Sequence, residues 1–177
     1  MHNAAFLEMY QVVPAFIPGA DQNADLVGDW VSLKNFHRVT ILFHKAAGTA
    51  GDDPSIRLQQ ATDVAGTGAK ALNFTRNWHK IGATALSAIG AFTKVVLITT
   101  TDDLDLVSVN GVDMLTDVGE TIWAVDVKAD ELDVTNGFDC INLLIEGDDV
   151  ANANLCEGLY ILGPARQDGA VPSAIVD

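Results

Sequence analysis

Residues 121–147 read TIWAVDVKADELDVTNGFDCINLLIEG, and this stretch decides the fold class of the chain. Apolar residues alternate with polar or small ones in both halves: Trp123, Val125 and Val127 in the first, and Ile141, Leu143 and Ile145 in the second. A period of two places side chains on opposite faces of a β-strand and buries one face. The segment between the halves, 129–138, is rich in Asp and ends near Asn136-Gly137, which is turn chemistry. The pattern therefore predicts two strands joined by a turn region.

Further strands are predicted over 30–45, 56–61, 72–80 and 160–162, where the same alternation recurs. Residues 94–101 read KVVLITTT, and this β-branched run predicts a strand that is covered on both faces. Residues 81–92 fit a short helix or a loop equally well. Seven or eight short strands with Gly-, Asp- and Asn-rich loops predict a single all-β domain. We expect a β-sandwich of the jelly-roll type over residues 28–163, with a barrel as the alternative.

Both termini are predicted to be extended arms outside this sandwich. Pro14, Pro18 and Gly19 interrupt residues 1–27, and Gly163-Pro164 precedes the tail over 164–177. The apolar residues of the arms are too few to build a core, so we predict that they contact partner subunits. These residues are Phe6, Leu7, Val12, Val13, Phe16, Ile17, Val171, Ile175 and Val176. Deletion of residues 1–20 is expected to leave the sandwich folded and to weaken partner binding.

The charge of the chain restricts its partners. The net charge is −14, from 24 acidic and 10 basic residues among 177. A field of this sign repels phosphate backbones and anionic membranes, so we expect neither as a partner. No apolar run is long enough to span a membrane, and no secretory signal is recognisable, which predicts folding in a cytoplasm. Cys140 and Cys156 are expected to be free and buried, with a disulfide between them as the alternative.

The sequence contains no recognisable catalytic constellation. The four histidines, at positions 2, 37, 44 and 79, lack the spacing of metal ligands. Acidic clusters around 52–53, 102–105 and 146–149 lack the spacing of a calcium loop and are interpreted as solvated turns. No nucleophile, phosphate-binding or dinucleotide-binding motif is present. We therefore predict no catalytic, cofactor-binding or metal-binding residue, no cofactor and no small-molecule substrate.

The three tryptophans keep a different class of function open. Trp30, Trp78 and Trp123 are interpreted mainly as core residues, but they would also suit a platform on which sugars stack. Paired carboxylates from the acidic clusters would suit glycoside hydrolysis. A carbohydrate-binding module or a glycan-cleaving enzyme is therefore the alternative to a structural protein.

Several segments carry a resemblance to a known group of proteins. DWVSL at 29–33, the strand and turn over 40–51, IRLQQATD at 56–63 and the stretch 122–145 are similar to structural proteins of tailed bacteriophages. The resemblance covers about residues 30–162 and implies a non-enzymatic component of the virion, assembled in the host bacterial cytoplasm. Acidic charge and extended termini favour a capsid decoration, or cement, protein that bridges subunits of the major capsid protein. Such a protein is expected to be a homotrimer at a symmetry axis, with a tail or head–tail adaptor subunit as the alternative.

Overall fold

The computed structural model describes residues 5–21, 24–48, 55–82, 91–101, 119–146, 155–166 and 173–175, and at residues 81, 95 and 97–101 it describes the backbone alone. The elements are α1 (Phe6–Met9), β1 (Gln11–Pro14), β2 (Ala20–Asp21), β3 (Leu26–Val27), β4 (Val31–Ser32), β5 (Arg38–Lys45), β6 (Ser55–Ala61), β7 (Lys70–Ala71), β8 (Phe74–Ile81), β9 (Thr93–Thr101), β10 (Thr121–Lys128), β11 (Cys140–Glu146) and β12 (Leu155–Leu162). Two 3-10 turns, Ala129–Glu131 and Val134–Asn136, connect β10 to β11.

Two antiparallel sheets form the domain. Within the described residues, the large sheet has seven strands in the order β1-β12-β5-β10-β8-β9, with β2 also paired to β12. The small sheet has five strands in the order β3-β11-β6-β7, with β4 also paired to β11. The prediction of an all-β sandwich is confirmed, and the jelly-roll connectivity stays a prediction. The described residues contain no helix whose length and hydrophobicity would let it cross a membrane.

The core lies between the sheets and is built by the alternating residues that the sequence pattern marks. On the inner face of the large sheet, Phe43 of β5 lies directly opposite Trp123 of β10, and their rings stack with centroids 6.2 Å apart. Ile141, Leu143 and Ile145 of β11 are fully buried on the facing sheet. Burial of Trp123 confirms its interpretation as a core residue. Cys140 and Cys156 are both buried thiols, one in each sheet, which confirms the prediction that they are not joined by a disulfide.

Tyr160 joins the two sheets by a hydrogen bond inside the core. The edge of the small sheet beside β11 is split between β3 and β4. At this break the N–H of Leu143 donates to Oη of Tyr160 at 2.8 Å, and the Leu143 carbonyl accepts from the N–H of Gly28. A Cβ at Gly28 would lie 2.7 Å from Tyr160 Oη, so only glycine lets the chain pass at this point. Burial raises the pKa of Tyr160 well above its usual range, and the phenol stays neutral.

The structure places much of the predicted N-terminal arm inside the sandwich. Strands β1 and β2 pair with β12, and β3 pairs with β11, so residues of 1–27 complete both sheets of their own chain. Proline interrupts this segment without preventing short edge strands, because the N–H that proline lacks is not required at a sheet edge. Deletion of residues 1–20 would remove β1 and Ala20, one of the two residues of β2. We therefore expect that truncation to destabilise the domain, which differs from the expectation drawn from the sequence.

The described part of the predicted C-terminal tail also contacts the domain. Ala165 forms an isolated β-bridge with Phe36, and Ala174 is buried in the core. The carbonyl of Ala174 accepts a hydrogen bond from the N–H of Ser32 at 2.7 Å. The tail therefore lies along the sandwich at both described points, 164–166 and 173–175.

Strand β9 is the last strand of the large sheet within the described residues. The sequence predicts that both of its faces are covered, and this is wrong at its first residues: Thr93, Lys94 and Val96 are exposed, Val96 to 60%. A run of β-branched residues reports suitability for a pleated strand, and it does not report what covers the strand. The start of β9 is thus exposed to solvent.

Candidate partner-binding surface

The N-terminal segment is anchored by one aromatic side chain. Phe16 is only 7% exposed and packs on Gly158 of β12, where a Cβ would lie 2.8 Å from the Phe16 ring. The N–H of Ala15 donates to the Gly158 carbonyl at 2.7 Å, and the Ala15 carbonyl accepts from the N–H of Asp29. Gly158 faces inward opposite Phe43, so the missing side chain makes room for Phe16 at the end of the core. This contact fixes the direction in which the next residues leave the sandwich.

Those next residues line an apolar groove of about 620 Å³ on the surface. Ile17 is 82% exposed and Val27 is 66% exposed, although both are large apolar side chains. The groove is lined by Pro14, Ala15, Phe16, Ile17, Pro18, Gly19, Ala20, Leu26, Val27 and Asp29. We call it the N-terminal groove. A contiguous exposed apolar surface of this kind is typical of a site that another protein covers.

The nine arm residues predicted to contact partners fall into three groups. Phe6, Leu7, Val12, Ile17 and Ile175 are exposed and available to a partner. Phe16 is buried and Val13 packs partly against the core, so both hold the segment in place within the chain. Val171 and Val176 lie outside the described residues. Of the exposed group, Ile17 is the residue that the structure places in the groove.

A charged cluster lies beside this groove on the outer face of the large sheet. His44 of β5 points outward because its neighbours Phe43 and Lys45 point inward. Nδ1 of His44 lies 3.1 Å from Oε1 of Glu157, which is directly opposite on β12. Nε2 lies 2.8 Å from Oε1 of Glu120, just before β10. One imidazole therefore links three adjacent strands through two carboxylates.

The two carboxylates control the protonation of the histidine. Burial alone would lower the pKa of His44, but the hydrogen bonds to Glu157 and Glu120 and the charges of both carboxylates outweigh it and raise the pKa. The protonated ring has two N–H donors, so it satisfies both partners, whereas the neutral ring satisfies only one. The cluster therefore favours the protonated ring, and its geometry spreads the carboxylates to opposite sides of the imidazole.

The cluster borders a cavity of about 350 Å³, which we call the histidine cavity. It is lined by Gly19, His44, Ala46, Ala47, Glu120, Leu155, Cys156 and Glu157. Burial, together with the charges of Asp21 and Glu157, raises the pKa of Cys156 to about 12, so the thiol is a poor nucleophile. Across the residues that the structure describes, no group of His, Cys, Asp and Glu side chains is arranged to hold a metal ion.

The tryptophans do not form a shared platform for sugars. Trp123 is inside the core, whereas Trp78 is half-buried on the outer face of the large sheet. Trp30 precedes β4 in the small sheet and packs on the backbone of Gly66, where a Cβ would lie 2.6 Å from its Nε1. The acidic residues at 52–53, 102–105 and 148–149 lie outside the described residues, and Glu146 forms an ion pair with Arg57 at 3.0 Å.

Sequence reasoning missed the histidine cluster for a clear reason. Glu120 and Glu157 are 76 and 113 residues from His44 along the chain, so no local spacing reveals them. The outward position of His44 follows from the alternation of β5, but its partners follow only from the order of strands in the sheet. Of the residues that line the N-terminal groove, sequence reasoning singled out Phe16 and Ile17, and it did not single out Leu26 and Val27.

Comparison of the chain with models of known protein families, with curated proteins and with solved structures finds no match.

Proposed function

We propose that this protein is a non-enzymatic structural component of a tailed-bacteriophage virion, and that it decorates the capsid by bridging subunits of the major capsid protein. The observation that carries the proposal is the N-terminal groove, an exposed apolar surface held in a fixed position by Phe16 and Gly158. The resemblance of residues 30–162 to phage structural proteins and the net charge of −14 also support it. An acidic protein suits the outside of a shell, because it is repelled by the packaged DNA.

The groove suggests how the shell is stabilised. A capsid subunit that inserts an apolar side chain would bury Ile17 and Val27. Each fully buried side chain contributes roughly 1.5–3 kcal/mol to binding, before the entropic cost of ordering the contact is subtracted. The anchor at Phe16 reduces that entropic cost, since the groove is already formed in the free protein. Repetition of this contact over a lattice stiffens the shell even where each single contact is weak.

Binding to undecorated shells tests the proposal. Ile17→Asp places a charge in the groove without touching the core, so the protein is expected to stay folded and its shell occupancy to fall about tenfold or more. Val134→Asp is the matched control, because Val134 is also an exposed apolar residue but lies on the connection between β10 and β11. Occupancy and heat resistance of the shells are measured for both variants. Equal occupancy of the Ile17→Asp variant and the parent protein would contradict docking through the groove.

Copy number and oligomeric state separate the roles within a virion. A lattice decoration protein is present in many copies per particle, whereas a head–tail adaptor forms one small ring, and quantitative mass spectrometry of particles distinguishes the two. The proposed homotrimer is checked by light scattering of the isolated protein and of protein released from shells. A monomer in both samples would count against the trimer.

The histidine cavity favours a second candidate function, a carbohydrate-binding or glycan-cleaving protein. Glu120 and Glu157 are two carboxylates at one cavity, and a pair of carboxylates is what glycoside hydrolysis requires. Both are held by His44, which favours a structural role for the cluster. A glycan array and a hydrolysis assay test this candidate, with the Glu120→Gln/Glu157→Gln double variant as the control. Hydrolysis by the parent protein and its loss in the variant would replace the structural proposal.

A further inference from the structure

Cationic and apolar side chains form a checkerboard on the outer face of β8 and the start of β9. Asn77 and His79 point into the sandwich, so Arg76, Trp78 and Lys80 point outward. Trp78 is paired directly with Lys94, and Arg76 is paired with Val96. Nζ of Lys80 lies 4.5 Å from the centroid of the Phe92 ring. Each cation is therefore next to an apolar side chain on the neighbouring strand, and the order alternates from row to row.

Among the described residues, no carboxylate forms an ion pair with either lysine of this surface. Nζ of Lys94 lies 6.0 Å from the centroid of the Trp78 ring, and within the described chain neither Lys80 nor Lys94 forms an ion pair. Arg76 contacts Glu131 only weakly, with Nη2 and Oε1 3.9 Å apart. In a chain of net charge −14, three outward cations thus lie in adjacent rows of one strand pair.

The spacing of these cations fits an extended chain. Lys80, Lys94 and Arg76 follow a zigzag in which each step crosses the strand pair diagonally, and diagonal neighbours in an antiparallel pair are roughly 7–8 Å apart. In an extended peptide, side chains on one face recur every two residues, or about 6.7 Å. Acidic residues at alternate positions of such a peptide would therefore meet successive cations.

We propose that this cationic checkerboard, formed by Arg76, Trp78, Lys80, Phe92, Lys94 and Val96, binds an extended acidic segment of a partner protein that carries carboxylates at alternate positions. The carboxylates pair with the cations, and the methylene groups of the same acidic side chains contact Val96 and the edges of the two rings, whereas the residues between them point away from the sheet. The surface lies on β8 and β9, at the opposite end of the large sheet from β1 and the N-terminal groove. The proposal goes beyond the decoration role and does not depend on it.

The observations favour an acidic protein segment over a polyanion such as nucleic acid or a sulfated polysaccharide. A long polyanion extends past the patch and meets the acidic remainder of the protein, which repels it. Stacking of bases or sugars requires free ring faces, and the ammonium groups of Lys94 and Lys80 lie over the faces of Trp78 and Phe92. A short acidic segment needs only the cations and the ring edges.

Titration of the full-length protein with synthetic peptides tests the proposal. The probe is a capped heptapeptide, Thr-Glu-Thr-Glu-Thr-Glu-Thr, followed by the change in tryptophan emission and by calorimetry. Controls are the same peptide with Gln for Glu, and an isomer with the three Glu residues consecutive. We expect the alternating acidic peptide to bind most tightly and its affinity to fall as salt is added, because exposed charge pairs are screened.

Protein variants assign the binding to the checkerboard. Lys80→Gln/Lys94→Gln is expected to weaken binding about tenfold, as the loss of two charge-assisted contacts implies. Lys34→Gln/Lys128→Gln is the matched control, because it removes the same charge at two exposed lysines outside the patch. Circular dichroism and thermal unfolding check that both variants are folded.

Three outcomes would overturn the proposal. If the two double variants weaken binding of the acidic peptide equally, the attraction is non-specific. If the isomer with consecutive Glu residues binds as tightly as the alternating peptide, the spacing of the carboxylates does not determine binding. Binding of heparin or of a single-stranded oligonucleotide, without binding of the acidic peptide, would show that the patch is a polyanion site. None of these results bears on Ile17 and the shell assay, so failure here and failure of the decoration role are distinguishable.

Discussion

The two faces of the large sheet are built from the same strands but follow different physical rules. On the inner face, Phe43, Trp123 and Gly158 fit one another by shape, and the surface is closed. On the outer face, His44 contacts the carboxylate of Glu157, and the ammonium group of Lys80 lies over the Phe92 ring. Both side chains remain partly open to solvent. The inner face therefore determines whether the chain folds, whereas the outer face provides contacts that depend on pH, salt and partners.

Strand β12 shows this difference at neighbouring positions. Gly158 and Tyr160 point inward. Gly158 makes room for the Phe16 ring, and the uncharged Tyr160 hydroxyl accepts a hydrogen bond from the Leu143 N–H. Glu157 points outward and contacts His44. Substitutions at adjacent positions should consequently differ in kind: inner changes should alter the free energy of unfolding, and outer changes should alter titration or binding.

The largest effect is expected at Phe16, whose neighbour Ile17 provides the matched comparison. Phe16→Ala removes a buried ring over Gly158 and is expected to lower the free energy of unfolding by about 3 kcal/mol, as cavity-forming substitutions do. Ile17→Ala should change it by less than about 0.5 kcal/mol, because the side chain is exposed. Urea unfolding measures both. Similar values for the two variants would mean that Phe16 does not anchor the segment.

A smaller effect is expected at Tyr160, where shape is kept and one hydrogen bond is lost. Tyr160→Phe leaves the ring in the core but leaves the Leu143 N–H without its acceptor in a dry site. An unsatisfied buried donor lowers the free energy of unfolding by about 1–3 kcal/mol. Tyr10→Phe is the control, since Tyr10 lies outside the core and stacks on Phe6. A neutral Tyr160→Phe variant would indicate that another group or a water accepts the Leu143 N–H.

The strands were predictable because their pattern is local. Alternation along 121–128 and 140–146 directly reports which residues are buried, and the structure places strands β10 and β11 there. The N-terminal segment was predicted less well. Its role depends on the packing of Phe16 over Gly158, which lies more than a hundred positions further along the chain. The sequence around Phe16 contains no pattern that predicts this contact.

The sites were harder to predict than the strands, because they depend on the order of strands in the sheet. His44 meets Glu120 and Glu157 only because β5 lies between β10 and β12. Lys94 and Trp78 meet only because β8 and β9 pair in one particular register, and a shift by one residue would move them to opposite faces. Sequence alternation predicts the face on which a residue lies, but it does not identify the residue's neighbours on the adjacent strands.

The smallest expected effect is a pH dependence of stability that comes from His44 on the outer face. Its pKa is raised in the folded protein above the unfolded value of 6.5, so the protonated form is favoured by folding. The stabilisation is therefore fully present below about pH 6.5 and is lost as pH rises through the folded pKa. Because the ring is partly exposed and its ion pairs are screened, we expect the contribution to stay below about 1 kcal/mol.

His44→Gln should thus be less stable than the parent protein at pH 5.5 and nearly equal to it at pH 9, as measured by urea unfolding across that range. His37→Gln, at an exposed histidine just before β5, is measured alongside as the control. A constant difference between His44→Gln and the parent at every pH would mean that the side chain stabilises by packing, and that the outer face is governed by shape there as the inner face is.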